Sequence, residues 1–224
     1  MPILYSPVTL VLSALLTGLA QQPIHMGWLV WFSLVPFIFV LNRITEIKHY
    51  VFVGLIWGCT YYLTVIFWLA NNIGTTPLIG MISMVSAVLY CSFNVILICV
   101  LMKIIKHIFP NHWYWFIPLV WTSIEYVRNM DMLSGGPWTS LANTQLDFLT
   151  LVQNVEITGI YGISFWVVFI NVLLYNWLVR PYNANIIKLM VIFILPWLTG
   201  IWLMKNSVND SSSFLNIALI QPNI

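Results

Sequence analysis

Glu125 and Arg128 stand three residues apart in an otherwise apolar stretch, a spacing that puts both on one helix face where they can pair. A guanidinium so placed either ends a helix in water or meets the phosphate of a lipid. Four of the six acidic residues, Glu125, Asp131, Asp147 and Glu156, fall in or beside the single connection 129–156. Connections of that length are functional or disordered, and this one is too apolar for disorder. Within it, Gly135-Gly136-Pro137-Trp138 combines permissive backbone with a fixed φ. The result is a rigid turn that presents an indole, either as a plain interfacial anchor or as one wall of a groove for lipid substrate. Arg128, Gly136, Pro137, Trp138 and Gln145 are the candidates for that groove. A catalytic residue is harder to name. Cys59, Cys91 and Cys99 lie in apolar runs, where a thiolate is disfavoured, and read as small packing residues. Tyr161-Gly162-Ile163-Ser164 has the outline of a nucleophile turn but no placed base. His25, His49, His107 and His112 share no ligand spacing, so neither a metal nor a cofactor is expected.

The elements that must position these groups follow from composition. Of 224 residues, 61% are hydrophobic and 6% charged. A soluble domain carries about 25% charged residues, so lipid must be the solvent over most of the chain. Soluble enzymes, disordered tails and disulfide-stapled modules are excluded. A net charge of +2 argues against nucleic acid as a partner. A helix crosses the hydrocarbon in about 20 residues. Seven segments qualify: Ile3–Ala20, Met26–Leu41, Tyr50–Ala70, Pro77–Met102, Trp113–Val127, Ile157–Val179 and Ile186–Met204. The fold class expected is an all-α membrane bundle of about seven transmembrane helices. The first segment lacks a basic leader and reads as a retained span. Leu141, Leu146, Phe148, Leu149, Leu151, Val152 and Val155 recur at three- and four-residue spacing. They predict an amphipathic helix on the outer leaflet, with Asn143, Gln145, Asp147, Gln153 and Asn154 on its polar face. Asn94 and Asn171, inside spans, are expected to bond neighbouring helices. Trp28, Trp31, Trp113, Trp115, Trp197 and Trp202 fall near span ends and read as interfacial anchors.

Charge orients the bundle. Arg43, Lys48, Lys103, Lys106, Arg180 and Lys188 follow the even-numbered spans, against Arg128 and Lys205 on the other side. Positive charge favours the cytoplasm. The N-terminus is therefore expected inside, with connection 129–156 and the C-terminus outside. Residues 1–206 form the membrane domain and 207–213 a polar linker. Residues 214–224, with the apolar run Ile217–Ile220, read as a β-strand that needs a sheet to join. The expectation is a domain that is missing or supplied by another chain.

Several blocks resemble one family. They are Gly54, Trp57-Gly58 and Trp68; Trp121, Glu125-Tyr126 and Arg128; Gly136-Pro137-Trp138, Leu141-Ala142 and Gln145; Gly159 to Phe165 and Asn171. The chain is similar in these to the membrane part of apolipoprotein N-acyltransferases. Ile217 to Ile224 is similar to the first strand of that family's nitrilase-like α/β domain.

The resemblance implies lipoprotein biosynthesis in the bacterial inner membrane. A Cys nucleophile in an outer nitrilase-like domain takes an acyl chain from phospholipid as a thioester. A Glu serves as base and a Lys stabilises the oxyanion. The acyl group then passes to the α-amino group of the diacylglyceryl-cysteine of a lipoprotein. None of those three catalytic residues matches a position here. The expectation is a truncated or split membrane half, inactive alone, whose partners are phospholipid, diacylated lipoprotein and a separate nitrilase-like chain. Two other readings stay open. One is a membrane platform paired with a polyprenol-phosphate mannosyltransferase. The other is a small multispan transporter or scaffold, which would place ionisable groups at mid-bilayer.

Overall fold

A computed structural model describes residues 7–130, 139–206 and 218. Seven helices carry the fold. They are α1 (Pro7–Leu19), α2 (Gly27–Arg43, broken in the middle), α3 (Ile47–Asn71, its last turn 3₁₀), α4 (Pro77–Ile108), α5 (Ile117–Met130), α6 (Val155–Val179) and α7 (Asn183–Asn206). Each segment expected to span falls on one of them, but only α3, α4, α6 and α7 are long and apolar enough to cross a membrane. α1 and α2 are shorter apolar helices, and α5 has 14 residues, about 21 Å of rise. No strand occurs among the described residues; the expected linker and strand lie outside them, Ala218 apart.

Successive helices run antiparallel, so their ends gather in two groups. At one end, Lys106 of α4 donates to the carbonyls of Leu41, Asn42 and Ile44 at 2.7–3.1 Å. An ammonium thereby caps the carbonyl end of α2, which carries the negative pole of that helix. Tyr114 donates to Asn176 beside the end of α6. The other end gathers the close of α1, the start of α2, the end of α5 and the start of α6.

Lipid-solvated helices associate through close contact of small residues rather than through hydrophobic exclusion. α3 and α4 cross that way. A Cβ on Gly54 would lie 2.6 Å from the Ile96 Cα, and one on Gly58 would lie 2.9 Å from the Ser92 Cβ. Two glycines four residues apart thus set the interhelix distance. Gly54→Leu is expected to force the pair apart and cost about 1–3 kcal/mol. The check is a lowered midpoint in detergent-induced unfolding; an unchanged midpoint would mean that the crossing is loose.

Two helices carry an internal proline, and a side chain of α6 bonds to the backbone near each. Pro36 follows the break in α2 between Val30–Ser33 and Val35–Arg43. The fully buried Asn171 of α6 inserts its amide there. It donates to the Val30 carbonyl (2.7 Å) and the Val167 carbonyl (2.9 Å), and accepts from Leu34 N–H (2.9 Å). Pro196 has no N–H for the Ile192 carbonyl four residues earlier in α7. The Trp166 indole of α6 donates to that carbonyl at 2.9 Å. Asn171 thus bonds a neighbouring helix as expected, whereas Asn94 bonds Cys91 of its own helix.

The tryptophans divide differently from the sequence expectation. Trp28 and Trp202 are exposed, as anchors require. Trp113 is buried, and Trp31 packs in a cluster with Phe148, Phe193 and Trp197. Span ends here are covered by other helices, so nearness to an end in sequence does not mean nearness to headgroups.

Candidate functional site: a buried polar lock at one end of the bundle

Trp121, Glu125 and Arg128 recur at four and three residues on α5, and all three face inward. The charged residues are almost fully buried, at 4% and 7% exposure. A solvated helix end does not describe them. Residues 139–145 fold back across the end of α5 and cover Glu125 and Arg128.

Glu125 Oε1 accepts from the Trp121 indole (3.2 Å) and from Leu141 N–H (2.9 Å), where the 3₁₀ helix Leu141–Gln145 begins. Arg128 donates to Tyr62 (3.0 Å), Ser140 Oγ (3.3 Å) and Asn129 (3.5 Å). Asn129 reaches Ser140 and Tyr161. Tyr61 donates to the Thr139 carbonyl, and Gln21 donates to the Tyr61 hydroxyl and the Ser140 carbonyl. Ala142 N–H is received by Ser164. A cavity of about 20 Å³ remains among Trp57, Tyr61, Tyr62, Trp121, Glu125 and Arg128, room for about one water.

Gln145, expected on a lipid-facing groove, has no exposed surface. Its amide donates to the Gly27 carbonyl (3.1 Å) and Thr144 (2.7 Å), and accepts from the Trp31 indole (2.8 Å). A Cβ on Gly27 would meet the Thr144 carbonyl, so the segment sits hard against α2. The predicted amphipathic surface helix is absent. In its place are the 3₁₀ helix Leu141–Gln145, a turn and the single helical turn Leu149–Val152. Of the apolar residues that predicted it, Leu141 and Leu151 point into the bundle, whereas Leu146, Leu149 and Val155 are exposed. The supposed polar face carries Gln145 and Asn154, both buried and bonded inside. Gly136, Pro137 and Trp138 lie outside the described residues.

The structure therefore brings Arg128 and Gln145 to opposite ends of one short segment, held by α1, α2, α3, α5 and α6. Sequence reasoning missed Tyr61, Tyr62, Gln21, Asn129 and Ser140, and read Ser164 only as part of a weak nucleophile outline, whereas it accepts from Ala142 N–H. The tyrosine pair inside a span was the available signal, because a buried phenol needs a partner. On the outer edge, Asp147 accepts from His25 (2.7 Å) and Gln22 (3.0 Å). These bonds hold its carboxyl below the usual carboxylate range. A depressed folded pKa stabilises above the ordinary carboxylate value of about 3.9 and is lost as pH falls through the folded value. Hydrogen exchange of residues 21–27 is accordingly expected to quicken below about pH 4, and Asp147→Asn to flatten that dependence. Equal pH dependence in both proteins would disprove the tie.

Residues 13–173 match the family described as the apolipoprotein N-acyltransferase N-terminal domain. The chain belongs to that family. The matched stretch contains the whole polar lock, from Gln21 to Ser164. An apolipoprotein N-acyltransferase of Geobacter metallireducens is 26% identical over 96% of this chain and 42% of its own length. One of Thermotoga maritima is 29% identical over 96% and 43%, and one of Chlorobaculum tepidum 30% identical over 48% and 21%. The chain thus spans less than half the length of these curated relatives. With four helices able to cross a bilayer, this N-terminal domain is a multi-pass membrane protein.

Proposed function

We propose that this N-terminal domain is the membrane platform of an apolipoprotein N-acyltransferase. Such an enzyme moves an acyl chain from phospholipid to the α-amino group of a diacylglyceryl-cysteine on a lipoprotein. The observation that carries the reading is the family match over a stretch whose most polar interior, the Glu125–Arg128 lock, lies at one end of the bundle. A nitrilase-like domain, on this chain or another, would dock there with its Cys, Glu and Lys. The platform's part is orientation: it holds the residues leading out of α5 and into the 3₁₀ helix in one geometry, so that acyl chains meet the thiol in register. The nucleophile comes from outside these helices, because Cys59 lies on α3 and Cys91 and Cys99 on α4.

We further propose seven crossings, with α5 reaching across with help from the 3₁₀ turn Trp113–Phe116. Arg43, Lys48, Lys103, Lys106, Arg180 and Lys188 belong to helix ends gathered opposite the lock, so the lock faces away from the cytoplasm of a bacterial inner membrane. A Ser212→Cys chain in intact cells is expected to react with an impermeant thiol reagent; reaction only after lysis overturns the orientation. Purified chain mixed with phospholipid and a diacylated lipopeptide is expected to give no triacylated product. Adding the nitrilase-like domain of a relative is expected to restore turnover. Turnover without it refutes the division of labour.

A further inference from the structure

Of the residues of α7 only Gly200 is buried, against the Thr150 carbonyl, while Leu189, Ile192, Phe193 and Trp197 are half-buried against the core. Two polar ties add to this packing and join it to α6. Near one end, Asn154 donates to the Pro196 carbonyl (2.7 Å) and accepts from Thr199 (2.5 Å). Seven residues away, the Trp166 indole holds the Ile192 carbonyl that Pro196 frees. Between the ties a cavity separates part of the two helices. Asn154, Thr158, Gly162 and Trp166 form a stripe at four-residue spacing along one wall of this cavity, with the Thr158 side chain packed against Gly162. α6 is also bent at its start, where Gly159 (φ 66°, ψ 177°) occupies a region open only to glycine. The outcome is a slot of about 270 Å³ whose other walls are Ile157, Ile163 and Leu195.

The slot is polar at its Asn154–Thr199 end and apolar below, closed by Trp166. From Thr199 to Ile192 it runs about 10 Å, a third of the hydrocarbon thickness. Ile157 and Leu195, at its lips, are exposed to lipid. Water is a poor occupant, because the Asn154 amide hydrogens are already donated and the lower walls offer none of the two to four partners that water needs. A helix from elsewhere does not fit: 10 Å of a cylinder 10 Å across needs about 800 Å³. A single flexible hydrocarbon chain does fit, and its dispersion contacts would replace those the two helices fail to make.

We propose that this slot binds one acyl chain of a phospholipid as a resident structural lipid that seals α7 to α6. The inference rests on the membrane setting of the chain and not on acyl transfer. The test uses the full chain in phosphatidylethanolamine–phosphatidylglycerol vesicles doped with a phosphatidylcholine bearing a diazirine near its acyl terminus. Photolabel is expected to be enriched several-fold on peptides covering 154–166 and 192–199 over the lipid-facing side of α4 at Met81–Val85. Leu195→Trp, which fills the slot, lowers that label to the α4 level. Met190→Trp, on the open face of α7, leaves it unchanged. Ile157→Trp fills the slot from the other wall and serves if Leu195→Trp does not fold. Stripping lipid is expected to lower the unfolding midpoint of the wild type, and phospholipid to restore it, with both effects blunted in the filled variant. Even labelling of all lipid-facing surfaces means annular lipid only and overturns the proposal, as does undiminished labelling in the folded variants.

Discussion

Arg128→Met is expected to destabilise the folded chain by about 3–5 kcal/mol, the cost of leaving a buried opposite charge uncompensated. Glu125 would keep its bonds from Trp121 and Leu141, but its charge would share the polar core with no cation, and Tyr62 and Ser140 would each lose a donor. The double variant Glu125→Gln, Arg128→Met removes both charges and leaves an amide that still accepts from Leu141. It is expected to recover more than half of the loss. Unfolding midpoints in mixed detergent micelles for the wild type, the two single variants and the double give the coupling directly. A cost below about 1 kcal/mol for the single change, the size found for exposed pairs, would mean that the charges are hydrated and the lock is not closed. In a complete acyltransferase assembled with this platform, the same variant should lower kcat more than it raises KM. The segment it loosens orients reacting groups, whereas the lipid is held by many weak contacts.

Asn171→Leu carries the second large effect. The amide meets the Val30 carbonyl and Leu34 N–H at the break in α2. Leucine nearly matches its volume and removes both bonds in a region where no water replaces them. The expected loss is about 1–3 kcal/mol, with the smaller figure favoured by measured interhelix bonds in membranes. Asn171→Asp is the informative companion. It still accepts from Leu34 but no longer donates to Val30, so it should lie between leucine and wild type unless its charge is forced into the core. Hydrogen exchange at Leu34 is the local readout; protection unchanged in the leucine variant would show that the helix ladder closes without the side chain.

Membrane solvation, the positions of the four helices long and apolar enough to span, and the family of the chain all came from the sequence alone. Each depends on composition or on one-dimensional spacing: long apolar runs need hydrocarbon, and Pro and Asn clusters end them. The inward face of α5 was also readable, because Trp121, Glu125 and Arg128 recur at helical spacing. What that face meets was not. Glu125 and Arg128 looked like a solvated helix end because nothing in the order of residues says that residues 139–145 return to cover them. Gln145 and Asn154 looked like surface amides for the same reason. The apolar spacing of 141–155 did not mark one buried face: Leu141 and Leu151 are buried, whereas Leu146, Leu149 and Val155 are exposed. In a protein whose outside is apolar, hydrophobic periodicity marks contact with lipid and contact with protein alike. Only the tertiary structure separates the two, since buried donors such as Gln21 and Asn171 find partners 40 and 141 residues away.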